Sequence, residues 1–433
     1  MQKDNKKIIN SWAMYDWANS VYSLVITTTI FPIYYTSITT VHGNDSVYFL
    51  GLHFKNTALY SYSLSFAFLL IAFISPILSG IADYRGNKKS FMKFFCTMGS
   101  VACASLYFFT SVETLWIGIF AFVIATIGFA GSIVFYNAFL PEIASKENQD
   151  NVSAKGFILG YIGSSLLMIF NLVMIQKPDW FGISDAGSSS RISFVTVGLW
   201  WFGFALITFF GVPEIAKDNS ADEKKFNEIV IKGYSELKKV WRELQSQKTL
   251  KTFLSAFFFY NMGVQTTMYV ASLFGAKEIK MEQGQLILTL LIIQFVAMAG
   301  AYIFSKVSKI LGNIKALAIA VVIWIGICVS AYFIYESTPF MVLAGVVGLV
   351  MGGIQSLSRS TYSKMLPATK DHASYFSFYD VCEKVSLVLG TLCYGMIEEV
   401  TGSMRNSIFA LAGFFVIGII FLLPLSQRKV SSL

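Results

Sequence analysis

Long apolar segments with almost no charge recur along the whole chain. Each is long enough for an α-helix to cross about 30 Å of hydrocarbon, which takes about 20 residues. Segments such as 65–81 and 408–424 are apolar on nearly all sides, whereas the strands of a membrane barrel alternate between apolar and polar positions. The pattern therefore predicts an all-α membrane protein, and no large water-soluble domain fits between the segments.

Hydropathy windows predict twelve transmembrane helices, six on either side of a connection at residues 214–248. We therefore expect an N-terminal six-helix bundle at residues 1–213, a cytoplasmic linker at 214–248 and a C-terminal six-helix bundle at 249–433. Helical spacing of the linker's apolar residues predicts an amphipathic helix at the membrane surface, with a regulatory partner site as the alternative. The twelve helices lie near residues 9–38, 58–82, 91–110, 113–140, 155–176, 193–213, 249–274, 284–305, 314–335, 338–366, 374–398 and 403–425.

The composition and charge of the chain agree with this prediction. It is 55% hydrophobic and 13% charged, whereas about 25% of the residues in an ordinary soluble domain are charged. A net charge of +8 also suits a nucleic-acid-binding protein, but the positions of the cations argue against such a partner. With cytoplasmic termini, 26 of the 33 Lys and Arg residues lie on the cytoplasmic side, six lie opposite and Lys384 lies within a helix. The positive-inside rule therefore predicts that both termini are cytoplasmic.

The sequence holds no signature of a cofactor, metal or catalytic site. Its five cysteines lie inside apolar segments, and its three histidines lie in loops without metal-ligand spacing. We find no nucleophile and base pair within the predicted helices and no phosphate-binding GxxxxGK[ST] loop, so ATP is not expected to drive the protein. We expect a monomeric membrane protein that is not an enzyme, and any transport by it is expected to be gradient-driven. Its expected partners are the lipid bilayer, a small-molecule solute and protons.

Two pieces of sequence recur at the same offset of 226 residues, which indicates an internal repeat. Gly86 and Asn87 match Gly312 and Asn313 in loops of the two predicted bundles. The second match is between the sequence at the end of the fourth helix and the sequence at the end of the tenth. Parallel six-helix repeats, each with inverted three-plus-three symmetry, are the architecture of the major facilitator fold. The second match pairs Tyr136, Leu140 and Pro141 with Tyr362, Leu366 and Pro367.

A short motif follows the second predicted helix. Residues 80–89 read Gly-Ile-Ala-Asp-Tyr-Arg-Gly-Asn-Lys-Lys, which resembles the cytoplasmic hallmark motif of the major facilitator superfamily. Its glycines allow a tight turn, and Asp83 is expected against the N-terminus of the eleventh helix as a latch. The alternative is a generic basic loop. In the second half Lys309 takes the acidic position, so any latch there must differ. The expected gate residues are Gly80, Asp83, Arg85, Gly86, Lys88 and Lys89.

Several helix segments narrow the resemblance within that superfamily. They are Trp12-Ala-Met-Tyr15-Asp16-Trp17-Ala-Asn19-Ser20-Val-Tyr22, Tyr136-Asn137-Ala-Phe-Leu-Pro141-Glu142, Tyr260-Asn261-Met262-Gly263-Val264-Gln265-Thr266 and Gly352-Gly353-Ile-Gln355-Ser-Leu-Ser358-Arg359-Ser360. Together they resemble the "unknown major facilitator" family, bacterial relatives of the yeast autophagy-associated vacuolar amino-acid effluxer. Met262 and Thr391 stand where that family often has an acidic residue and a proline. The resemblance implies amino-acid transport by alternating access, in a bacterial cytoplasmic (inner) membrane.

Few ionisable side chains lie within the predicted helices, and each is a candidate functional group because charge is costly in hydrocarbon. Asp16 is expected to face the central cavity as a substrate contact or proton acceptor, with a structural carboxylate as the alternative. On the eleventh helix Lys384 is expected to neutralise Asp380, four residues earlier. This leaves Glu383, which either pairs with Arg359 or Lys384 or titrates during transport.

Polar side chains complete the expected cavity. On the first helix Asp16, Asn19, Ser20, Ser23 and Thr27 form one stripe at helical spacing. A lining of amides, hydroxyls and a few charges suits a small polar or zwitterionic organic solute, although each polar residue can instead bind helices together. The alternative function is transport or flipping of an amphipathic lipid or cell-wall fragment. The expected cavity residues are Asp16, Asn19, Tyr22, Tyr136, Asn137, Asn261, Gln265, Gln355 and Ser358, and the expected coupling or ion-pair network is Asp16, Arg359, Asp380, Glu383 and Lys384.

Overall fold

The computed structural model of the protein describes residues 2–41, 44–213 and 226–426, so the predicted linker residues 214–225 lie outside the described part. The described chain is almost entirely α-helical. The helices are α1 (Lys6–Val21), α2 (Ile30–Thr39), α3 (Asn56–Arg85), α4 (Lys88–Ser105), α5 (Leu115–Asn137), α6 (Leu140–Ile143), α7 (Gln149–Gln176), α8 (Ala186–Gly211), α9 (Phe226–Ser246), α10 (Lys248–Lys277), α11 (Gln283–Leu311), α12 (Asn313–Phe333), α13 (Ser337–Met365), α14 (His372–Thr401) and α15 (Met404–Ser426).

Ten helical segments of the described chain are long and apolar enough to cross a membrane. They correspond to ten of the twelve predicted helices, and α1 and α2 together form the first of them. The other two predicted helices are α10 and α14, which are 30 residues long but more polar. In α14, Asp380, Glu383 and Lys384 lie within about one turn. The all-α membrane fold is confirmed, but only ten spans meet the apolar standard, because polar residues lower the hydropathy of α10 and α14.

The first span is interrupted halfway along its length. After α1 the chain forms a π-helical segment, Tyr22–Thr27, and leaves the helix at Thr28 and Thr29 before α2 begins. Thr28 Oγ1 donates to the Leu24 carbonyl at 2.8 Å. Pro32, in the first turn of α2, lacks the amide N–H that would continue the helical hydrogen bonding. Because a π turn closes over more residues than an α turn, side chains beyond it point in other directions than an unbroken α-helix would give.

A β-hairpin that the hydropathy pattern does not predict lies between α2 and α3. Its strands, β1 (Ser46–Phe49) and β2 (Leu52–Lys55), are antiparallel, with Ser46 opposite Lys55. Leu50 and Gly51 form the turn with φ angles of 48° and 86°. Positive φ at both positions gives the two-residue turn whose twist matches that of paired strands. The hairpin therefore joins α2 to α3 by a compact loop.

The helices pack as two sets that meet along a few helices. The helices α1–α8 form one set and the helices α10–α15 form the other, and the helices of each set pack extensively on one another. Between the sets, α7 packs on α11 and α13, and α3 packs on α14. Glycines allow the closest of the internal contacts. A Cβ atom on Gly348 of α13 would lie 2.5 Å from the carbonyl oxygen of Ile293 on α11. Small residues let these two backbones approach, as in other membrane helix pairs.

One end of the bundle carries α9 and the loops at residues 86–87, 144–148, 312 and 366–371, and we call it the linker face. Here α9 packs on α3, where a Cβ on Gly233 would lie 2.9 Å from a backbone nitrogen of α3. Val240 and Leu244 of α9 are buried. Lys239 forms a 2.9 Å ion pair with Asp371, just before α14. The linker helix therefore contacts both helix sets at this face.

We expect Gly348→Ala to destabilise the protein by about 1–3 kcal/mol, because the added methyl group overlaps with the backbone of α11. Gly345→Ala, one turn earlier on α13, is the matched control, since its Cβ would lie 3.9 Å from the nearest atom, a methyl carbon of Ile292. Alanine there improves helix propensity by about 1 kcal/mol. Thermal unfolding of both variants in detergent measures the difference. A Gly348→Ala variant as stable as Gly345→Ala would contradict this account of the packing.

Candidate functional site

A cavity of about 190 Å³, lined by both polar and apolar side chains, lies between the two helix sets. Most of the residues predicted to line it do so, and several others join them. The polar and charged wall residues include Asp16, Asn19, Ser20, Ser23, Thr28, Asn137, Tyr161, Asn261, Gln265, Tyr269, Gln294, Gln355, Ser358, Arg359, Tyr379, Glu383 and Lys384. The wall thus draws on both sets, which is where substrate sites lie in transporters built from two repeats.

The polar stripe on the first span follows the prediction up to the π-helical segment and then shifts. Asp16, Asn19, Ser20 and Ser23 line the cavity, but Thr28 rather than Thr27 continues the stripe. Thr27 is buried elsewhere, and its carbonyl accepts a 2.6 Å hydrogen bond from Tyr60. The extra residue in the π turn moves the register by one position.

Two predicted cavity residues, Tyr22 and Tyr136, lie behind the wall. The hydroxyl of Tyr22 lies 2.7 Å from Thr126 Oγ1, and its ring packs between α5 and α8. Tyr136 stacks on Trp12 with ring centroids 4.4 Å apart, and its hydroxyl donates to Asp16 Oδ2 at 2.8 Å. Both tyrosines are fully buried. Tyr22 therefore supports helix packing, while Tyr136 positions the carboxylate of Asp16.

Arg359 of α13 joins the two helix sets at the bottom of the cavity. Its Nη1 and Nη2 both lie 3.1 Å from Asp16 Oδ2, so the pair crosses from α13 to α1. Nη1 also donates to the Asn137 side chain, while Nε and Nη2 donate to Ser153 Oγ and its carbonyl at 2.9 and 2.8 Å. The guanidinium lies 4.2 Å above the Phe157 ring. All three nitrogens of Arg359 thus contact the N-terminal helices, and its predicted alternative partner Glu383 is not among these contacts.

Gly156 makes room for this cluster. A Cβ on Gly156 would lie 2.9 Å from Arg359 Nη2 and 3.1 Å from the Tyr136 hydroxyl, and it would overlap with the carboxylate of Asp16. One turn later on α7, a Cβ on Gly160 would lie 2.5 Å from Ser20 Oγ. Any larger residue at position 156 would push the Asp16 carboxylate away from Arg359. The buried ion pair therefore depends on a glycine of a third helix.

A second charged group lies on α14, at the cavity wall of the C-terminal helices. Lys384 Nζ lies 3.3 Å from Asp380 Oδ1 and 3.7 Å from Glu383 Oε1. Gln265 Nε2 of α10 donates to Glu383 Oε1 at 3.1 Å. The Asp380 and Lys384 side chains are 4% and 5% exposed, whereas that of Glu383 is 24% exposed. Asp380 thus lies behind the wall, and Glu383 faces the cavity.

Several neutral wall residues also bind neighbouring helices to one another. Asn261 Nδ2 donates to Ser386 Oγ at 2.7 Å, and Ser358 Oγ lies 2.7 Å from the Tyr260 hydroxyl. The side-chain oxygen of Gln355 accepts a 2.7 Å hydrogen bond from Tyr161, across the two helix sets. These amides and hydroxyls therefore serve both of the predicted roles, cavity lining and contact between helices.

The gate residues lie at the linker face. Asp83 accepts hydrogen bonds from the backbone N–H groups of Ala373 and Ser374, at 3.2 and 2.7 Å, in the first turn of α14. This is the contact that the motif predicts, at a helix end that favours negative charge. Gly86 ends α3 in the left-handed conformation, with φ of 71°. Around it, Gly80 faces α9, Arg85 is the last residue of α3, Lys88 pairs with Glu142, and Lys89 donates to the Val212 carbonyl at 2.7 Å.

Two further contacts between the helix sets were not predicted from the sequence. Asp150, in the first turn of α7, accepts hydrogen bonds from Asn313 Nδ2 at 2.7 Å and from Lys364 Nζ at 2.6 Å. The ring of His372 lies 2.9 Å from Glu142 Oε1. In the second half, Lys309 stands at the position equivalent to Asp83. The carboxylate of this latch comes instead from Asp150 of α7, and its donors come from the C-terminal helices.

Four carboxylates of the N-terminal helices cross to donors on the C-terminal helices: Asp16, Asp83, Glu142 and Asp150. Their partners are side-chain or backbone donors of α11, α12, α13 and α14. All four contacts lie on the linker-face side of the cavity. The described structure is therefore closed between the cavity and the linker face.

A family model described as "Vacuole effluxer Atg22 like" matches residues 4–432. The chain is 33% identical to the "Uncharacterized MFS-type transporter YxiO" of Bacillus subtilis (strain 168), over 98% of this chain and 95% of the relative. It is 25% identical to "Autophagy-related protein 22" of Kluyveromyces lactis, over 96% of this chain and 92% of the relative. These matches span almost the whole of each protein.

Solved structures of major facilitator transporters share the fold. The transporter FucP in the outward conformation aligns with a TM-score of 0.70 at 12% identity, over 98% of this chain and all of that chain. The human organic anion transporter MFSD10 also aligns with a TM-score of 0.70 at 12% identity, covering 97% of this chain and all of that chain. A bacterial homologue of ferroportin in an outward-facing state gives 0.63 at 10% identity, over 98% of this chain and 99% of that chain. The predicted major facilitator fold is thus confirmed.

We expect Asp150→Asn to loosen the linker face, because an amide cannot balance the charge of Lys364. Spin labels at Lys146→Cys and Lys370→Cys, both exposed on this face, report the distance across it in protein without its native cysteines. Double electron–electron resonance should show a new population at longer distance. Asp185→Asn, at the opposite end of the bundle, is the control and should leave the distances unchanged. Unaltered distances in Asp150→Asn would show that the contact does not hold the face closed.

Proposed function

Since the chain belongs to the family described as "Vacuole effluxer Atg22 like", we propose that it is a secondary active transporter of a small polar or zwitterionic organic solute. The protein is an integral membrane transporter of the major facilitator type, as its relatives and fold indicate. The observation that supports the finer proposal is the cavity between two helix sets, whose wall carries many polar and charged side chains and which is closed at one end by contacts between those sets. Transport then proceeds by alternating access, as the sets rock around the cavity.

The orientation is proposed from the loop charges. Because 26 of the 33 Lys and Arg residues fall on one side of the predicted topology, the linker face is assigned to the cytoplasm, with both termini there. In a bacterium the membrane is then the cytoplasmic one, and the described structure has its cytoplasmic side closed. Opening of that side requires the Asp16–Arg359 pair and the latches of Asp83 and Asp150 to separate.

The solute class is proposed from the chemistry of the cavity wall. Amide side chains such as Asn19, Gln265 and Gln294 supply both donors and acceptors, and Glu383 supplies a negative charge. Such a wall suits the polar groups of an amino-acid-like solute, which is also the class that the family resemblance implies.

The first test measures flux in proteoliposomes that contain the purified protein. We expect gradient-dependent movement of at least one amino acid or other small polar metabolite, detected by mass spectrometry across a metabolite panel, and none in protein-free vesicles. Movement of a lysolipid or cell-wall fragment without any polar solute would replace this proposal with the alternative substrate class. No flux of either kind would refute the transporter proposal for the substrates tested.

Coupling to protons is tested with two isosteric variants. We expect Asp16→Asn and Glu383→Gln to abolish solute accumulation driven by a proton gradient, while solute exchange is partly retained, because exchange needs no net proton movement. Asp179→Asn, an exposed residue of the short helix Pro178–Phe181, is the control and should transport normally. Accumulation at the unaltered rate in both variants would show that neither carboxylate couples transport to protons.

A further inference from the structure

The charges in and behind the cavity wall do not balance. Three carboxylates, those of Asp16, Asp380 and Glu383, face two cations, Arg359 and Lys384. Asp16 accepts both Nη groups of Arg359 at 3.1 Å, which neutralises that pair. Lys384 lies closer to Asp380, at 3.3 Å, than to Glu383, at 3.7 Å. One negative charge is therefore left over on the two carboxylates that share Lys384, and Glu383 is the one of these two that faces the cavity.

Glu383 has room for another partner. Its Oε1 accepts the hydrogen bond from Gln265 and faces Lys384. In the described structure, Oε2 has neither a hydrogen bond nor an ion pair, and the side chain is 24% exposed. An unbalanced carboxylate within a membrane is costly unless a positive charge accompanies it. That charge is a proton on one of the two carboxylates beside Lys384 or a cationic group of a bound molecule, and of these two carboxylates only Glu383 faces the cavity.

The two cations of the cavity are not available to an anionic solute. The Lys384 side chain is 5% exposed, lies over the Phe68 ring at 5.5 Å and is shared between two carboxylates. The Arg359 side chain is 4% exposed and donates five hydrogen bonds to the N-terminal helices. An organic anion would have to displace an internal carboxylate to reach either one. The accessible charge of the site is negative.

A hydrogen-bond donor without a partner lies in the part of the cavity wall that α1 forms. Asn19 of α1 is 2% exposed and lines the cavity, and its Nδ2 has no hydrogen-bond partner in the described structure. A buried amide N–H₂ without a partner costs free energy that a bound acceptor would recover. The cavity thus offers a negative charge on α14 and a free donor on α1. These groups suit a solute with a cationic end and a hydrogen-bond acceptor.

We propose that Glu383 binds the ammonium group of the solute and a proton in turn, so that the transporter exchanges an amine-bearing solute for protons. This deepens the proposed function and depends on it. A proton on Glu383 removes the charge that holds the ammonium, and a bound ammonium keeps the proton off, so the two compete for one site. The proton leaves to the solvent on whichever side the cavity is open.

Other titratable groups surround Glu383. They are Tyr379, Asp380 and Lys384 on α14, Tyr269 on α10, Arg359 on α13 and Asp16 on α1, while α3 contributes the ring of Phe68. The carboxylates of Asp16 and Asp380 lie against Arg359 and Lys384, respectively. Glu383 is therefore the carboxylate whose protonation a solute in the cavity can alter directly.

Binding to the purified full-length protein tests this proposal with amino acids, their carboxyl amides and their N-acetyl derivatives. For any amino acid that binds, we expect the amide to bind as well and the N-acetyl derivative, which lacks the ammonium, to fail. At low pH, where Glu383 is protonated, the affinity should fall about tenfold for each unit by which the pH is lowered. A pH indicator in weak buffer should record proton release on binding. Equal binding of the N-acetyl derivative, or pH-independent binding, would overturn the proposal.

Variants of α14 make the site assignment specific. Glu383→Gln should weaken binding about tenfold or more, as expected for loss of a hydrogen bond to a charged group, and should abolish the proton release. Glu383→Asp keeps the carboxylate and should keep the pH dependence. Glu398→Gln, at the far end of α14 and beside Lys277, is the control and should behave as the unaltered protein. Unchanged binding and proton release in Glu383→Gln would refute the role of Glu383.

Different results would refute the ammonium site at Glu383 and the proposed transport function. Transport of a polar solute without an amine, unaffected by Glu383→Gln, would overturn the ammonium site and leave the transporter proposal intact. Absence of both binding and flux for every polar solute would refute the proposed function itself. The stability of each variant without solute, measured by thermal unfolding, separates loss of the site from loss of the fold.

Discussion

The placement of one cation, Arg359, governs how the two helix sets meet. A guanidinium inside a membrane protein costs several kcal/mol unless charged and polar groups surround it. Its partners Asp16, Asn137 and Ser153 all belong to the N-terminal helices, although Arg359 itself lies on α13. The charge is therefore satisfied only when the two sets are in contact. That contact forms the bottom of the cavity, and Gly156 provides the space for it.

Three further contacts between the sets, those of Asp83, Glu142 and Asp150, follow the same polarity, with carboxylates on the N-terminal helices and donors on the C-terminal helices. Asp83 and Asp150 each lie near the end of a helix, one receiving backbone N–H groups and the other receiving Asn313 and Lys364. When the sets part, each of these groups loses its partner in the same movement and must be hydrated instead. The closed state is therefore held cooperatively, and water entering from the linker face is part of the cost of opening.

Hydropathy alone located the ten helical segments that are apolar enough to cross a membrane, because the length and composition of a span are local properties. The Asp16–Arg359 pair could not be predicted, since the residues are 343 positions apart and only the packing of α1, α7 and α13 brings them together. Asp150 and His372 resembled ordinary loop residues in the sequence. Tyr22 fits the helical spacing after Asn19, but its hydroxyl bonds to Thr126 instead. The π-helical segment, which the sequence pattern does not reveal, accounts for the change from Thr27 to Thr28 in the stripe.

The helices that hydropathy ranks as the least suitable for a membrane are those that carry the cavity chemistry. α14 falls below the apolar standard because of Asp380, Glu383 and Lys384, and α10 contributes Asn261 and Gln265 to the same wall. Neither helix has to expose these groups to lipid, since α14 packs against α3, α10 and α15. Lys384 balances one carboxylate inside this packing and leaves the other facing the cavity. In this chain, low hydropathy in two long helices was thus the sequence signal for the charged and amide residues of the cavity wall.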